Sequence, residues 1–123
     1  AVTHLSLSAS ARRVQIAYLA ELLSDRPRLV LMGDFNCDLL APEMSRLFQF
    51  TSLAPPQISL PTFPSWAAKR PIDHILVGGM ASSQYQTHIA AGSDHLAIAL
   101  ELELPEINPV NSPWPKQPVP AAP

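Results

Sequence analysis

Leu29-Val30-Leu31-Met32-Gly33-Asp34-Phe35-Asn36 decides the fold. Four consecutive apolar residues without polar alternation read as a strand buried on both faces, which requires helices or a second sheet to cover it. The run stops at Gly33, and Asp34 and Asn36 follow at once. In an extended chain, residues two apart point to one side. Asp34 and Asn36 then share a cleft, while Phe35 packs the other way. An acid and an amide so placed can hold a water, a metal or a phosphate oxygen. Gly, Asp and Asn are equally ordinary turn formers, and the tetrapeptide alone leaves both readings open.

Outward from this strand, residues 1–5 are short and apolar and predict a further strand. Ser8 or Ser10 can cap a helix over residues 11–24, in which Ile16, Leu19, Ala20 and Leu23 recur at helical spacing. Arg12, Arg13 and Glu21 are assigned to its wet side. Pro42 suits the first turn of a second short helix with Met44, Leu47 and Phe48 on one face. Residues 51–61 read as loop, with residues 58–63 able to pair at a strand edge. Strands are expected over residues 72–77, closed by Gly78-Gly79, and over 84–90. Residues 95–104 alternate Leu96, Ile98, Leu100, Leu102 and Leu104 against Ala97, Ala99, Glu101 and Glu103, the clearest period-two pattern in the chain. Strands mixed with two helices predict an α/β or α+β domain.

Of the 14 prolines, seven fall in the last 19 residues. Residues 105–123 therefore read as a proline-rich, extended or disordered tail behind a domain of residues 1–104. The 123 residues, 47% of them hydrophobic, suffice for one modest domain with a core. A formal net charge of -2 gives no global field toward nucleic acid. Lys69 and Arg70 beside Trp66 form either a solvated loop or a small patch contacting anions or bases. The single cysteine, Cys37, cannot form an internal disulfide and fits a reducing, cytoplasmic setting; it reads as buried or incidental. No apolar run is long enough to span a bilayer. The chain opens on Ala1 inside a strand-like segment, which predicts a fragment of a longer domain.

Polar residues gather at the predicted strand ends. Asp73 and His74 open an apolar strand, where an acid is costly to bury unless paired, for instance with a histidine. Asp94-His95 stands before the strongest strand; Ser93 or Asp94 can simply turn the chain, but an adjacent acid and imidazole can also bind a metal and move a proton. His4 lies in Val2-Thr3-His4-Leu5, where a lone histidine is commonly structural.

Thr3-His4-Leu5, Gly33-Asp34-Phe35-Asn36, Thr62-Phe63-Pro64-Ser65-Trp66, Arg70-Pro71-Ile72-Asp73-His74-Ile75-Leu76-Val77 and Ser93-Asp94-His95 come in the order of a known family. Together they resemble the endonuclease/exonuclease/phosphatase superfamily, which includes DNase I, abasic-site endonucleases, sphingomyelinases and inositol-polyphosphate phosphatases. The wording is most similar to uncharacterised bacterial metal-dependent hydrolases. The resemblance covers residues 1–104 and implies a DNase I-like α/β (α+β) two-sheet sandwich, of which this chain is the C-terminal half. It implies a catalytic set of His4, Asp34, Asn36, Asp73 and His95. His95 would act on the attacked phosphate or its water, Asp73 would orient His95, and His4 would meet a phosphate oxygen. Asp34 and Asn36 would orient the nucleophilic water and contact phosphate or metal. Asp94 would help bind Mg²⁺ or Mn²⁺. The general base is left open between Asp34 and His95.

The family also uses a glutamate from the first half of the domain, and Glu21, Glu43, Glu101, Glu103 and Glu106 match it nowhere. The resemblance thus implies a metal-dependent phosphoesterase acting on a phosphate ester, possibly nucleic acid. It also implies an N-terminal half as partner, and weak metal binding and inactivity for this chain alone. The alternative is a non-catalytic phosphate- or partner-binding module built on a half domain.

Overall fold

The computed structural model describes residues 1–104; the expected proline-rich tail and Glu106 lie outside the described residues. The elements run β1 (Val2–His4), α1 (Ala9–Leu23), β2 (Leu29–Asp34), α2 (Met44–Phe50), β3 (Leu53–Ala54), β4 (Asp73–Gly78), β5 (Ala81–His88) and β6 (Ala97–Glu103). They form a mixed α/β arrangement of two sheets and two helices. One sheet has the order β1-β2-β4-β3, and β5 and β6 form the other.

The apolar run builds β2, which pairs parallel with β1 and antiparallel with β4. Its Leu29 and Leu31, with Leu76 of β4, face Ile16, Ala20 and Leu23 of α1 and Met44 and Leu47 of α2. Fully burying such a side chain contributes roughly 1.5–3 kcal/mol. The fold's stability is therefore concentrated in this helix–sheet layer. The β5–β6 ribbon has no fully buried side chain; its residues are half-buried or exposed.

Gly33 holds the central pair together. Its φ is +140°, and a Cβ there would fall 1.8 Å from the Thr3 carbonyl oxygen. Only glycine lets β1 approach β2 this closely.

Four expectations are corrected. Arg12 does not face water: it is 9% exposed and paired with Glu43. Its guanidinium replaces water with a carboxylate and two carbonyl oxygens, which permits burial. Pro42 does not enter α2, which begins at Met44 with Glu43 at its N-cap position. The segment expected as loop contributes the short strand β3, and Phe63 bridges Arg70 rather than extending an edge from Ile58. Asn36 is not extended: its φ is +52°, so the chain turns after Asp34.

Candidate active site

The pairing register assembles the site. His4 lies opposite Asp34 and Asp34 opposite Asp73, so three neighbouring strands end in three polar side chains side by side. Partners in register point to the same face. His4 Nε2 stands 3.4 Å from Asp34 Oδ2 on the exposed rim. His95, at the entry to β6, brings its Nδ1 to 2.8 Å from Asp73 Oδ2. The ligand atoms of Asp34, Asp73 and His95 all lie within 4.8 Å of one another.

Local hydrogen bonds hold each group in place. The Asn36 backbone N–H donates to Asp34 Oδ1 at 2.8 Å, a tight turn closed by the acid itself. The Asn36 side chain donates from Nδ2 to the Leu5 carbonyl at 2.7 Å, tying the end of β2 to the end of β1. The turn keeps Asn36 beside Asp34 while Phe35 is driven fully into the core. Asp34 and Asn36 are thus neighbours through a turn rather than through strand alternation.

Asp73 is braced from the opposite side. The buried Thr62 donates its hydroxyl to Asp73 Oδ2 at 2.5 Å. The Phe63 ring packs against the His95 imidazole, with centroids 4.9 Å apart. The Leu96 N–H donates to the Thr62 carbonyl at 2.8 Å, and the His95 N–H donates to Ser93 Oγ at 3.1 Å. Thr62 and Phe63 are positioning residues that the sequence reading placed within a motif but assigned no role. Their only sequence signal was that motif, because their partners lie 11 and 32 residues away.

Burial of the His95 ring disfavours its charged form, but the hydrogen bond and charge of Asp73, helped by Asp34 and Asp94, outweigh it. The imidazole pKa stands above its ordinary value. His74 behaves in the opposite way. It is 1% exposed, and burial pushes its pKa down against the hydrogen bond to Cys37 and the nearby acids. Its Nε2 lies 2.9 Å from the Cys37 carbonyl and its ring meets Phe35 edge-on, so His74 pins the turn that carries Asn36. Cys37 is free and buried, and burial raises its thiol pKa.

The structure brings together His4, Asp34, Asn36, Asp73 and His95. Asp94 adjoins His95 in sequence and is exposed; it is not among the three converging ligand groups found in the described residues. Two carboxylates offer hard oxygen donors of the kind that select Mg²⁺ or Mn²⁺. Mg²⁺ retains several waters, so one or two carboxylates are a sufficient protein share. The donor set fits such an ion. No helix among the described residues is long and apolar enough to cross a membrane.

The sequence profile described as "Endonuclease/Exonuclease/phosphatase family" matches residues 3–95, a span that contains every residue of the assembled site. Among solved structures, the chain is similar to the crystal structure of a functionally unknown conserved protein from Enterococcus faecalis V583. That similarity has a TM-score of 0.68 at 24% identity and covers 83% of this chain. The match spans 48% of the enterococcal chain, about half its length. No curated protein matches the chain.

Proposed function

This chain belongs to the endonuclease/exonuclease/phosphatase family, and from that premise we propose that it carries the hydrolytic centre of a divalent-metal-dependent phosphoesterase on a DNase I-like sandwich. The observation that supports it is the convergence of Asp34, Asp73 and His95 at one end of the four-stranded sheet.

Asp34 and Asp73 would hold the ion, which when bound neutralises phosphate charge and polarises the phosphoryl oxygen. The remaining work falls to the chain's own groups. Asp73 accepts from His95 Nδ1, which fixes the ring and leaves Nε2 as the nitrogen for proton work. From there His95 handles the proton of the attacking water or of the leaving oxygen. Asp34, next to His4, is the second group able to orient that water. His4, exposed at the rim, donates to a phosphate oxygen as negative charge builds. Asn36 has one side-chain N–H committed to Leu5, which leaves its amide oxygen and second N–H for substrate. Asp94, exposed beside His95 and outside the converging trio, would assist the metal only as a further carboxylate next in sequence to His95.

Because no glutamate of the chain matches the one the family resemblance calls for, the chain by itself is expected to bind the ion weakly and to turn over slowly. Paramagnetic broadening by Mn²⁺ detects weak sites without requiring turnover. The broadening is expected to centre on the resonances of Asp34, Asn36, Asp73 and His95 and to vanish in Asp34→Asn. Broadening centred elsewhere, or unchanged in that variant, would falsify the metal assignment. Hydrolysis of a generic phosphodiester, where measurable, should need Mg²⁺ and drop about 100-fold or more in His95→Gln.

A further inference from the structure

Helix α1 is apolar on two sides. Its inner side, with Ile16, Ala20 and Leu23, packs into the core. Its outer side carries Val14, Tyr18 and Leu22, which are 71, 64 and 57% exposed. Residues four apart are neighbours on a helix surface, so the three form one row about 12 Å long. A helix beside solvent ordinarily turns charged residues outward, and one that is apolar all round is covered on every side. Single exposed apolar residues need no explanation, whereas an aligned row of three large ones marks an interaction surface. The apolar surface continues onto α2, where Phe50 is half exposed and lines a groove with Ala17 and Glu21.

The charges beside the row decide what covers it. α1 holds three charged residues, and Arg12 is buried against Glu43. The other two, Arg13 and Glu21, are exposed and lie on one flank of the row with Ala17 midway between them. The ion pairs among the described residues are His4–Asp34, Arg12–Glu43 and His95–Asp73, which leaves Arg13 and Glu21 without one. More than two helical turns separate them, beyond the i+3 and i+4 reach of a pair within one helix. A plain apolar partner would cover the row and leave both charges unmatched. A second α1 laid antiparallel matches everything. A two-fold axis beside Tyr18 sets Val14 against the partner's Leu22 and Leu22 against the partner's Val14. Under that symmetry each flank runs beside the same flank of the other helix in reverse order. Arg13 then comes level with the partner's Glu21, and Glu21 with the partner's Arg13. Ala17, between them, is small enough to let the helices approach.

We infer that this outer face of α1 is a self-association surface, occupied by α1 of a second copy of the chain in antiparallel orientation about a two-fold axis near Tyr18. One helix face is at the low end of interface sizes, so the dimer is weak and reversible, with a Kd on the order of 100 μM. The surface contains none of the residues of the proposed hydrolytic centre, so its test does not depend on turnover.

Sedimentation velocity on the whole chain, over a concentration series reaching about 1 mM, measures the association. The expected result is a shift from monomer toward dimer, weakened by added salt because both ion pairs stand in water. Tyr18→Glu sets two carboxylates together at the axis and should leave the chain monomeric throughout. Arg13→Glu and Glu21→Arg should each weaken association about tenfold, since each removes two symmetry-related ion pairs. An equimolar mixture of those two variants should recover the original association, and so should the double variant Arg13→Glu/Glu21→Arg, because every arginine again meets a glutamate. That recovery separates direct pairing from loss of fold, and all the substituted positions are exposed. A chain that stays monomeric over the whole series overturns the proposal, and the face then belongs to a different partner. A dimer that survives Tyr18→Glu also overturns it. Association then runs through another surface, such as the groove of about 410 Å³ lined in part by Ile75, Val77 and Leu100. A mixture and a double variant no better than the single variants overturn the antiparallel arrangement.

Discussion

Asp73 Oδ2 accepts two hydrogen bonds, from the Thr62 hydroxyl at 2.5 Å and from His95 Nδ1 at 2.8 Å. One carboxylate oxygen so occupied fixes the ring and favours its charged form, which is why His95 titrates above its ordinary value despite burial. A histidine whose folded pKa is raised stabilises the fold below the unfolded value of about 6.5 and loses that stabilisation as pH rises through the folded value. In Asp73→Asn the burial of the His95 ring is opposed only by the charges of Asp34 and Asp94, so its pKa should fall. The imidazole signals in a pH titration measure this; a pKa unchanged or higher in the variant rules the pairing out. The stability gap between the two proteins should be wider near pH 6 than above the raised pKa. The acid–imidazole pair was expected from the family resemblance, whereas strand position alone marked Asp73 and His95 separately without pairing them. Thr62 was not, because nothing in its own neighbourhood shows that Asp73 folds back onto it.

Arg12 links three elements that carry the site. Its Nη1 donates to the Ser6 and Leu7 carbonyls at 3.1 and 2.7 Å, and its Nε and Nη2 reach Glu43 Oε1 at 2.9 and 2.8 Å. Gln15 completes the clamp by accepting the Ser6 N–H at 2.9 Å. The segment leaving β1, and with it His4 and the Leu5 carbonyl that receives Asn36, is thereby fastened to α1 and to the start of α2. The Glu43 pKa is lowered, first by a hydrogen bond with its own backbone N–H and then by Arg12. Removing one partner of a buried pair leaves the other desolvated and alone, at a cost of about 3–5 kcal/mol. Arg12→Met should show that loss in chemical denaturation, and Arg12→Met/Glu43→Leu should recover most of it. A double variant as unstable as the single one would mean that the carbonyl contacts, not the ion pair, dominate. The helices themselves were readable, since Ile16, Ala20 and Leu23 recur at the period that burial requires. The burial of Arg12 was not, since its partner lies 31 residues away and a cation on a helix reads by default as solvated.

Over the whole molecule, packing is uneven, and the uneven part carries His95. The four-stranded sheet is backed by α1, α2 and the buried core, whereas the β5–β6 ribbon contributes no fully buried side chain. A two-stranded ribbon is marginal by itself and needs a surface to dock on. Its fastenings are few and identifiable. Tyr85 lends its hydroxyl oxygen to the Ile75 N–H at 3.2 Å across the gap between the sheets, and the Leu96 N–H reaches the Thr62 carbonyl. Ribbon docking and delivery of His95 to Asp73 are therefore one event. The strong alternation of residues 96–104 foretold a strand, but alternation cannot show how deeply the apolar side is covered, and here Ile98, Leu100 and Leu102 are only half-buried. Local opening should follow this division, because segments with few buried contacts open below the global unfolding free energy. Amide exchange in β5, β6 and at Ile75 is expected to exceed that in β2. Tyr85→Phe keeps the ring but leaves the Ile75 N–H without its acceptor. It should accelerate exchange at those sites about fivefold, the effect of losing a hydrogen bond worth about 1 kcal/mol, and leave β1 and β2 unchanged. The same variant should broaden the His95 ring signals, since the imidazole spends more time away from Asp73 whenever the ribbon lifts. Uniform acceleration across both sheets would instead mean that the ribbon and the four-stranded sheet open as a single unit, and His95 delivery would then be inseparable from global folding.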